Sequence, residues 1–357
     1  MKLRVGDWVE VRCKEEILCT LDKRGRLEEL PFMPQMFQYC GQRFKVYKRA
    51  HKTCDTVYYA QGGGRRLSNG IHLETRCDGD AYGGCQAACL IFWKEAWLKR
   101  VSENGSSTES SSHVQSRQGD HAVNKACCTE DDVRANTRTE NQMAGEEARY
   151  ICQATELPNF TSILPWWDLK QYVEDYTSGN SSLSRLFSGF VYFGYYKLLG
   201  NRCRSALPFH WVYDRFQSLR GGVPYPRRSG LIPVGQPTPA STLDLQPGEL
   251  VRVKSYKEIL ATLDPDNKNR GLCFDKELVP FCGGIYRVRS RMNKFINEKT
   301  GMMSTMKTPA IIMENVWCQS RYSTCRLGCP RSIYSWWREI WLERVSETTA
   351  SGNEETM

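Results

Sequence analysis

The sequence predicts a mainly β chain with α elements, built as two tandem small barrels, each ending in a helix, and joined by a helical middle segment. Three observations predict this: one module occurs twice, at residues 1–101 and 246–345; each copy opens on short alternating strands; and the segment between the copies carries apolar residues at helical spacing.

The repeat is direct. Residues 6–22 and 248–264 share nine identities in seventeen positions at a constant offset of 242. Gly6-Asp7-Trp8-Val9-Glu10-Val11 answers to Gly248-Glu249-Leu250-Val251-Arg252-Val253, and Glu16-Ile17-Leu18-Cys19-Thr20-Leu21-Asp22 to Glu258-Ile259-Leu260-Ala261-Thr262-Leu263-Asp264. The match continues through Tyr39-Cys40-Gly41 against Phe281-Cys282-Gly283. It ends on Trp93, Trp97, Leu98 and Val101 against Trp337, Trp341, Leu342 and Val345. Ser255 and Glu258 have the spacing of a capping box, and Cys13 takes the serine place in the first copy, so a short helical turn is expected in both.

Between the modules, residues 102–148 are rich in Ser, Glu, Asn, Thr and Gln and read as a disordered linker. Residues 149–220 form the middle segment. Leu169, Tyr172, Val173 and Tyr176 recur there at helical spacing, and a second helix is expected from Leu183 to Leu199. The aromatic residues Phe187, Phe190, Tyr192, Phe193, Tyr195 and Tyr196 read as core. A Pro/Gly linker covers 221–245 and a disordered tail 346–357.

The Gly6–Val11 opening resembles the first strand of SH3-like and KOW-type barrels. The phrases Leu30-Pro31-Phe32-Met33-Pro34, Tyr39-Cys40-Gly41 and Lys52-Thr53-Cys54-Asp55-Thr56 resemble a family of uncharacterised bacterial proteins carrying a duplicated module of this kind. The resemblance implies a bacterial source and carries no activity.

Sixteen cysteines without an N-terminal apolar stretch are expected to be reduced thiols in a cytoplasmic protein rather than a disulfide framework. The run Leu186–Leu199 is shorter than the roughly 20 residues of a membrane span, so none is expected. Four cysteines of the first copy, Cys40, Cys77, Cys85 and Cys89, have counterparts in Cys282, Cys318, Cys325 and Cys329. Cys85 and Cys89, like Cys325 and Cys329, fall four apart before an aromatic run, which on a first helical turn puts both sulfurs on one face. Four thiolates suit a tetrahedral zinc, and an iron–sulfur cluster uses the same ligands. The same positions also suit small buried hydrophobes.

Cys54 has no repeat partner. It is a further candidate ligand, or a replacement for Cys40, and also a candidate catalytic nucleophile, flanked as it is by His51 and Asp55. Phosphate-binding, dinucleotide-binding, zinc-protease and nucleophile-elbow motifs are absent.

Net charge is +9, with both modules basic and the linker acidic. Phe44-Lys45-Val46-Tyr47-Lys48-Arg49 and Tyr286-Arg287-Val288-Arg289-Ser290-Arg291 interleave cations with aromatics, which suits phosphate contacts and base stacking. The expectation is a non-enzymatic, metal-stapled binding or adaptor protein acting on nucleic acid or a protein partner. The alternatives are a metal- or thiol-dependent enzyme with its site between the modules, and an accessory subunit of a bacterial biosynthetic pathway.

Overall fold

Each copy begins with a left-handed turn of the kind that favours glycine. Gly6 (φ +86°) and Gly248 (φ +93°) turn the chain into its first strand. The computed structural model describes residues 2–58, 63–103, 127–139, 149–199, 207–219, 222–323 and 326–345. The chain divides into two units. The first is Met1–Leu183 with Lys294–Ser304 and Gly328–Arg331; the second is Ser184–Asn293 with Thr305–Leu327 and Ser332–Met357.

In the first unit the order is β1 (Trp8–Val11), α1 (Lys14–Leu18), β2 (Arg26–Leu27), β3 (Leu30–Pro31), a 3-10 turn (Pro34–Tyr39), β4 (Arg43–Lys45), β5 (Lys48–Arg49), β6 (Lys52–Cys54), β7 (Gly64–Arg66), β8 (Gly70–His72), β9 (Trp93–Lys94), β10 (Leu98–Arg100), α2 (Glu130–Ala135), β11 (Ser162–Ile163) and α3 (Lys170–Thr177). Its antiparallel sheets run β10-β1-β4, β11-β7-β6, β5-β8-β9 and β2-β3.

The second unit holds α4 (Leu183–Leu199, save its first residue), α5 (Leu207–Leu219), β12 (Leu250–Val253), α6 (Tyr256–Leu260), β13 (Lys268–Asn269), β14 (Leu272–Cys273), a 3-10 turn (Lys276–Phe281), β15 (Ile285–Ile296), β16 (Met303–Trp317), β17 (Tyr334–Trp337) and β18 (Leu342–Arg344). The ends of β15 and β16 that fall in Lys294–Ser304 count with the first unit. The main sheet runs β17-β16-β15-β12-β18.

The duplication holds to the hydrogen-bond register. Val9 faces Arg100 and Phe44 as Val251 faces Arg344 and Tyr286. The cores repeat as well. Phe32 lies edge-on to Trp97 at 5.2 Å, and Phe274 edge-on to Trp341 at 5.2 Å. Trp97 Nε1 donates to Thr20 Oγ1 at 3.0 Å, and Trp341 Nε1 to Thr262 Oγ1 at 2.9 Å.

Arg49 pairs with Glu95 at 2.6 Å and Arg291 with Glu339 at 3.5 Å. The capping box forms at Ser255, and at Cys13, in the serine place of the first copy, the main-chain N–H donates to Glu16 at 3.2 Å.

Four expectations are corrected. The described strands make several small antiparallel sheets, with no closed barrel among them. Neither copy ends in an α-helix: Glu95–Trp97 and Glu339–Trp341 are single 3-10 turns between short strands. A strand–turn–strand corner puts Trp93 and Trp97, both fully buried, on one side and so imitates helical spacing.

Residues 127–139 lie inside the stretch read as a tether, yet α2 folds there under a Thr129 cap, and Val133 sits in the first core. The Pro/Gly stretch is likewise packed rather than loose. Tyr225 and Leu245 are fully buried, and Leu231 and Ile232 donate main-chain bonds to Leu260 and Leu263. The other boundary regions, 104–126, 140–148 and 346–357, lie outside the described residues.

The middle segment is helical, as the spacing predicts, and α4 has the predicted bounds. Its apolar faces behave otherwise. On α3 the polar Gln171 and Asp175 are buried with Tyr172, while Leu169, Val173 and Tyr176 are exposed.

Candidate functional site

Strand β6 is buried at every residue and is flanked by His51 and Asp55, each under 6% exposed. A strand this enclosed must satisfy its charges internally. Lys52 Nζ lies 2.5 Å from Asp175 Oδ2, on α3, and 4.9 Å from the centroid of the Tyr172 ring. His51 Nε2 donates to the Gln171 carbonyl at 3.2 Å and lies at the same distance from Asp175 Oδ1, while its Nδ1 has no hydrogen-bond partner among the described residues.

Asp55 is a turn anchor. It accepts from the main-chain N–H groups of Val57 (2.9 Å) and Tyr58 (2.7 Å) and from Arg65 Nη1 (3.0 Å). Burial pushes its carboxyl pKa up, but those bonds outweigh it and hold the group below its ordinary value. The two residues that flank Cys54 in sequence are therefore engaged elsewhere, and Cys54 itself is 5% exposed.

Arg331 closes this region. It is 3% exposed and donates to Thr56 Oγ1 (3.0 Å), Glu298 Oε1 (2.9 Å) and the Cys54 carbonyl (3.5 Å). Burial works against its charge. Glu298 and the neighbouring thiols of Cys54, Cys89 and Cys329 work for it, and its pKa is raised.

The repeated cysteines part company here. In the first unit Cys77 and Cys89 each feel the charge of Cys85 and of Cys152, which has no repeat partner, and the Cys77 N–H donates to the Cys89 carbonyl at 2.9 Å. Cys77 Sγ accepts from Gln35 Nε2 at 3.0 Å, and Cys85 Sγ from the main-chain N–H of Ile296 at 3.4 Å.

Burial, reinforced by neighbouring thiols, raises the Cys77 pKa. Burial and then Glu298 push Cys89 up to about 12, and burial pushes Cys152 up to about 11. Cys40 instead sits among Cys13, Lys14 and Glu15, with a pKa raised chiefly by burial.

Burial pushes the Cys282 thiol up to about 12, and Cys318 Sγ lies 3.4 Å from Ser320 Oγ. Cys329 belongs to the first unit and Cys282 and Cys318 to the second, while Cys325 and Cys203 lie outside the described residues.

Among the described residues no group of three or more His, Cys, Asp or Glu is placed to hold a metal ion. The turn carrying Cys85 and Cys89 is built on left-handed Gly79, Gly83 and Gly84 rather than on a helix, so the expected one-face pairing of their sulfurs does not arise.

Sequence reading missed Asp175, Glu298 and Arg331; Cys152 stands out in the sequence as a middle-segment cysteine with no repeat partner. The repeat itself held a usable signal for one element of the site: Lys94-Glu95 and Arg338-Glu339 follow the matched tryptophans, and both cations are buried. Arg331 and Asp175 have no counterpart in the other copy that could have marked them.

The basic strands are partly spent on local contacts. Lys45 Nζ lies 5.0 Å from the Trp8 ring centroid, and the exposed Arg289 lies 5.3 Å from that of Tyr334. Arg65 is paired with Asp55, and Arg66 with Glu174 at 2.7 Å, so both cations of β7 are engaged. No protein family matches the chain, and no curated protein matches it.

Proposed function

We propose that the chain is a non-enzymatic binding or adaptor protein whose two basic, SH3-like modules act on a nucleic-acid or protein partner. The observation that carries this reading is the contact-by-contact repetition of the two cores beside a candidate nucleophile whose neighbours His51 and Asp55 bond to other groups. A scaffold used twice, with Cys54 enclosed and His51 and Asp55 bound to other groups, favours presentation of surfaces over chemistry. The exposed Arg287 and Arg289 on β15 and the cation–aromatic pair Lys45–Trp8 are the groups such a partner's phosphates and bases would meet. The bacterial, cytoplasmic setting belongs to the same reading.

Titration of duplex and single-stranded nucleic acid at falling salt tests it. Binding that weakens steeply with salt, and weakens further in Arg287→Ala/Arg289→Ala, is expected; no affinity at low ionic strength removes the nucleic-acid form.

A second reading, a thiol- or metal-dependent enzyme, is favoured by the buried Lys52–Asp175–His51 group and by Arg331 among Cys54, Cys89 and Cys329. The metal itself stands on the sequence repeat, which calls for about two zinc per chain on elemental analysis. Among the described residues none are placed to form such a site.

A further inference from the structure

Helix α4 is apolar on opposite faces. At 100° per residue Phe187, Phe190, Val191 and Leu198 fall within an arc of about 100°, and they are exposed at 72%, 38%, 54% and 85%. Leu186, Gly189 and Tyr192 lie on the other side and are buried, Gly189 against Leu327 and Tyr192 edge-on to Tyr322. A helix apolar all round is ordinarily enclosed all round. Here one stripe packs into the unit and the other faces outward; a Cβ at Gly194, within the outward arc, would meet nothing within 4 Å.

The neighbouring α5 repeats the pattern, with Trp211, Val212, Phe216 and Leu219 exposed at 53% or more. Tyr195 and Tyr213 join the two helices at 5.2 Å. In the antiparallel pairing that a short connection favours, the stripes, each set back by about 90–130° from that contact, come to the same side.

The charge around these stripes selects the occupant. Residues 176–243 hold eight Lys and Arg and a single acidic residue, Asp214, a net charge of +7. Asp214 is already paired with Arg228 and accepts from the Tyr225 N–H. Lys197 and Arg215 are exposed on the helices themselves. Aliphatic groups such as Leu198, Val191 and Leu219 have nothing to gain from phosphates or bases. They gain by entering hydrocarbon, and the surrounding cations gain from an anionic headgroup layer.

We propose that the α4–α5 pair is a membrane-surface anchor that seats its outward apolar stripes in an anionic lipid leaflet, lying in the interface. No described helix is long and apolar enough to cross a membrane, and α4 spans about 26 Å at 1.5 Å per residue.

The test is co-sedimentation of the full chain with phosphatidylglycerol-containing vesicles and with phosphatidylcholine vesicles. Binding to the anionic vesicles that falls with salt is expected. Leu198→Asp and Trp211→Ser, both at exposed positions and checked for unchanged circular dichroism, should each weaken it about tenfold or more. Arg287→Ala/Arg289→Ala should leave it unchanged, which separates this surface from the binding strands proposed above.

Absence of vesicle binding overturns the proposal, as does equal binding to both vesicle types. A self-association lost in Leu198→Asp would instead assign the face to a second copy. Nucleic-acid binding lost in Leu198→Asp, with no vesicle binding, would assign it to bases.

Discussion

Asp175→Asn is the sharpest test of how the first unit is held together. The Asp175 side chain is 0% exposed and that of Lys52 4%, with 2.5 Å between Nζ and Oδ2. The substitution keeps shape and volume, so no cavity term enters. Beside the Lys52 ammonium it leaves the Tyr172 ring at 4.9 Å and the Gln171 amide oxygen at 3.5 Å, neither of which carries a countercharge.

Removing one partner from a buried pair costs about 3–5 kcal/mol, because the other charge stays buried after losing its counter-ion. At roughly 2–4 °C per kcal/mol for a unit of this size, that is a fall in Tm of about 6–20 °C. The assay is thermal unfolding followed by near-UV circular dichroism, with Lys52→Met/Asp175→Leu alongside. The double variant, which removes both charges, should recover most of the loss. A loss in Asp175→Asn below about 1 kcal/mol, the worth of an exposed pair, would refute the reasoning and place water in the cluster.

Two further outcomes are expected. His72 is fully buried, with Nδ1 donating to the Ile91 carbonyl at 2.8 Å, and burial lowers its pKa to about 3. Its folded pKa lies below the unfolded value near 6.5, so the unfolded chain takes up the proton first. The stability it contributes is complete above pH 6.5 and is lost as pH falls toward 3, at up to about 1.4 kcal/mol per pH unit. Urea midpoints for His72→Gln should fall less steeply with acidification than those of the wild type, and parallel curves would remove His72 as the cause.

Separately, Cys19 and Cys127 are both exposed, with their sulfurs 3.0 Å apart. Mild oxidation should join them, closing a loop of roughly a hundred residues worth up to about 4–5 kcal/mol to the oxidised form. A faster-migrating non-reduced species that disappears in Cys127→Ser is the readout, and recovery of only unlinked Cys19 peptide after oxidation would contradict it.

The repeat was legible because the residues that match are those that touch. Phe32, Trp97 and Thr20 recur as Phe274, Trp341 and Thr262 with the same contacts at nearly the same distances. What stayed illegible was set by tertiary pairing rather than by local pattern. The apolar residues of α3 predict an inward face, yet Leu169, Val173 and Tyr176 turn outward, because Asp175 and Gln171 on the opposite side answer the buried Lys52 and His51 of β6. Composition likewise conceals α2: one Thr129 cap and the burial of Val133 are enough to order a polar stretch against the first core.

Cysteine spacing separates into backbone and chemistry in the same way. Cys40 and Cys282 are structural equivalents: each ends a 3-10 turn, with φ −56° and ψ 133° in one and φ −61° and ψ 134° in the other, and each packs against its own core. Their recurrence follows from the turn they terminate, where a small, half-buried side chain fits. Cys89 and Cys329 recur in sequence just as regularly, but both belong to the first unit, where Arg331 lies among them.

Duplication therefore copied the positions without copying the surroundings. The thiols that gather around β6 and the 77–89 turn come from the first copy, the middle segment and Cys329, while Cys282 in the second unit is pushed up by burial. Among the described residues the clustered thiols lie in the first unit, beside Cys152 and Arg331, which the repeat does not contain.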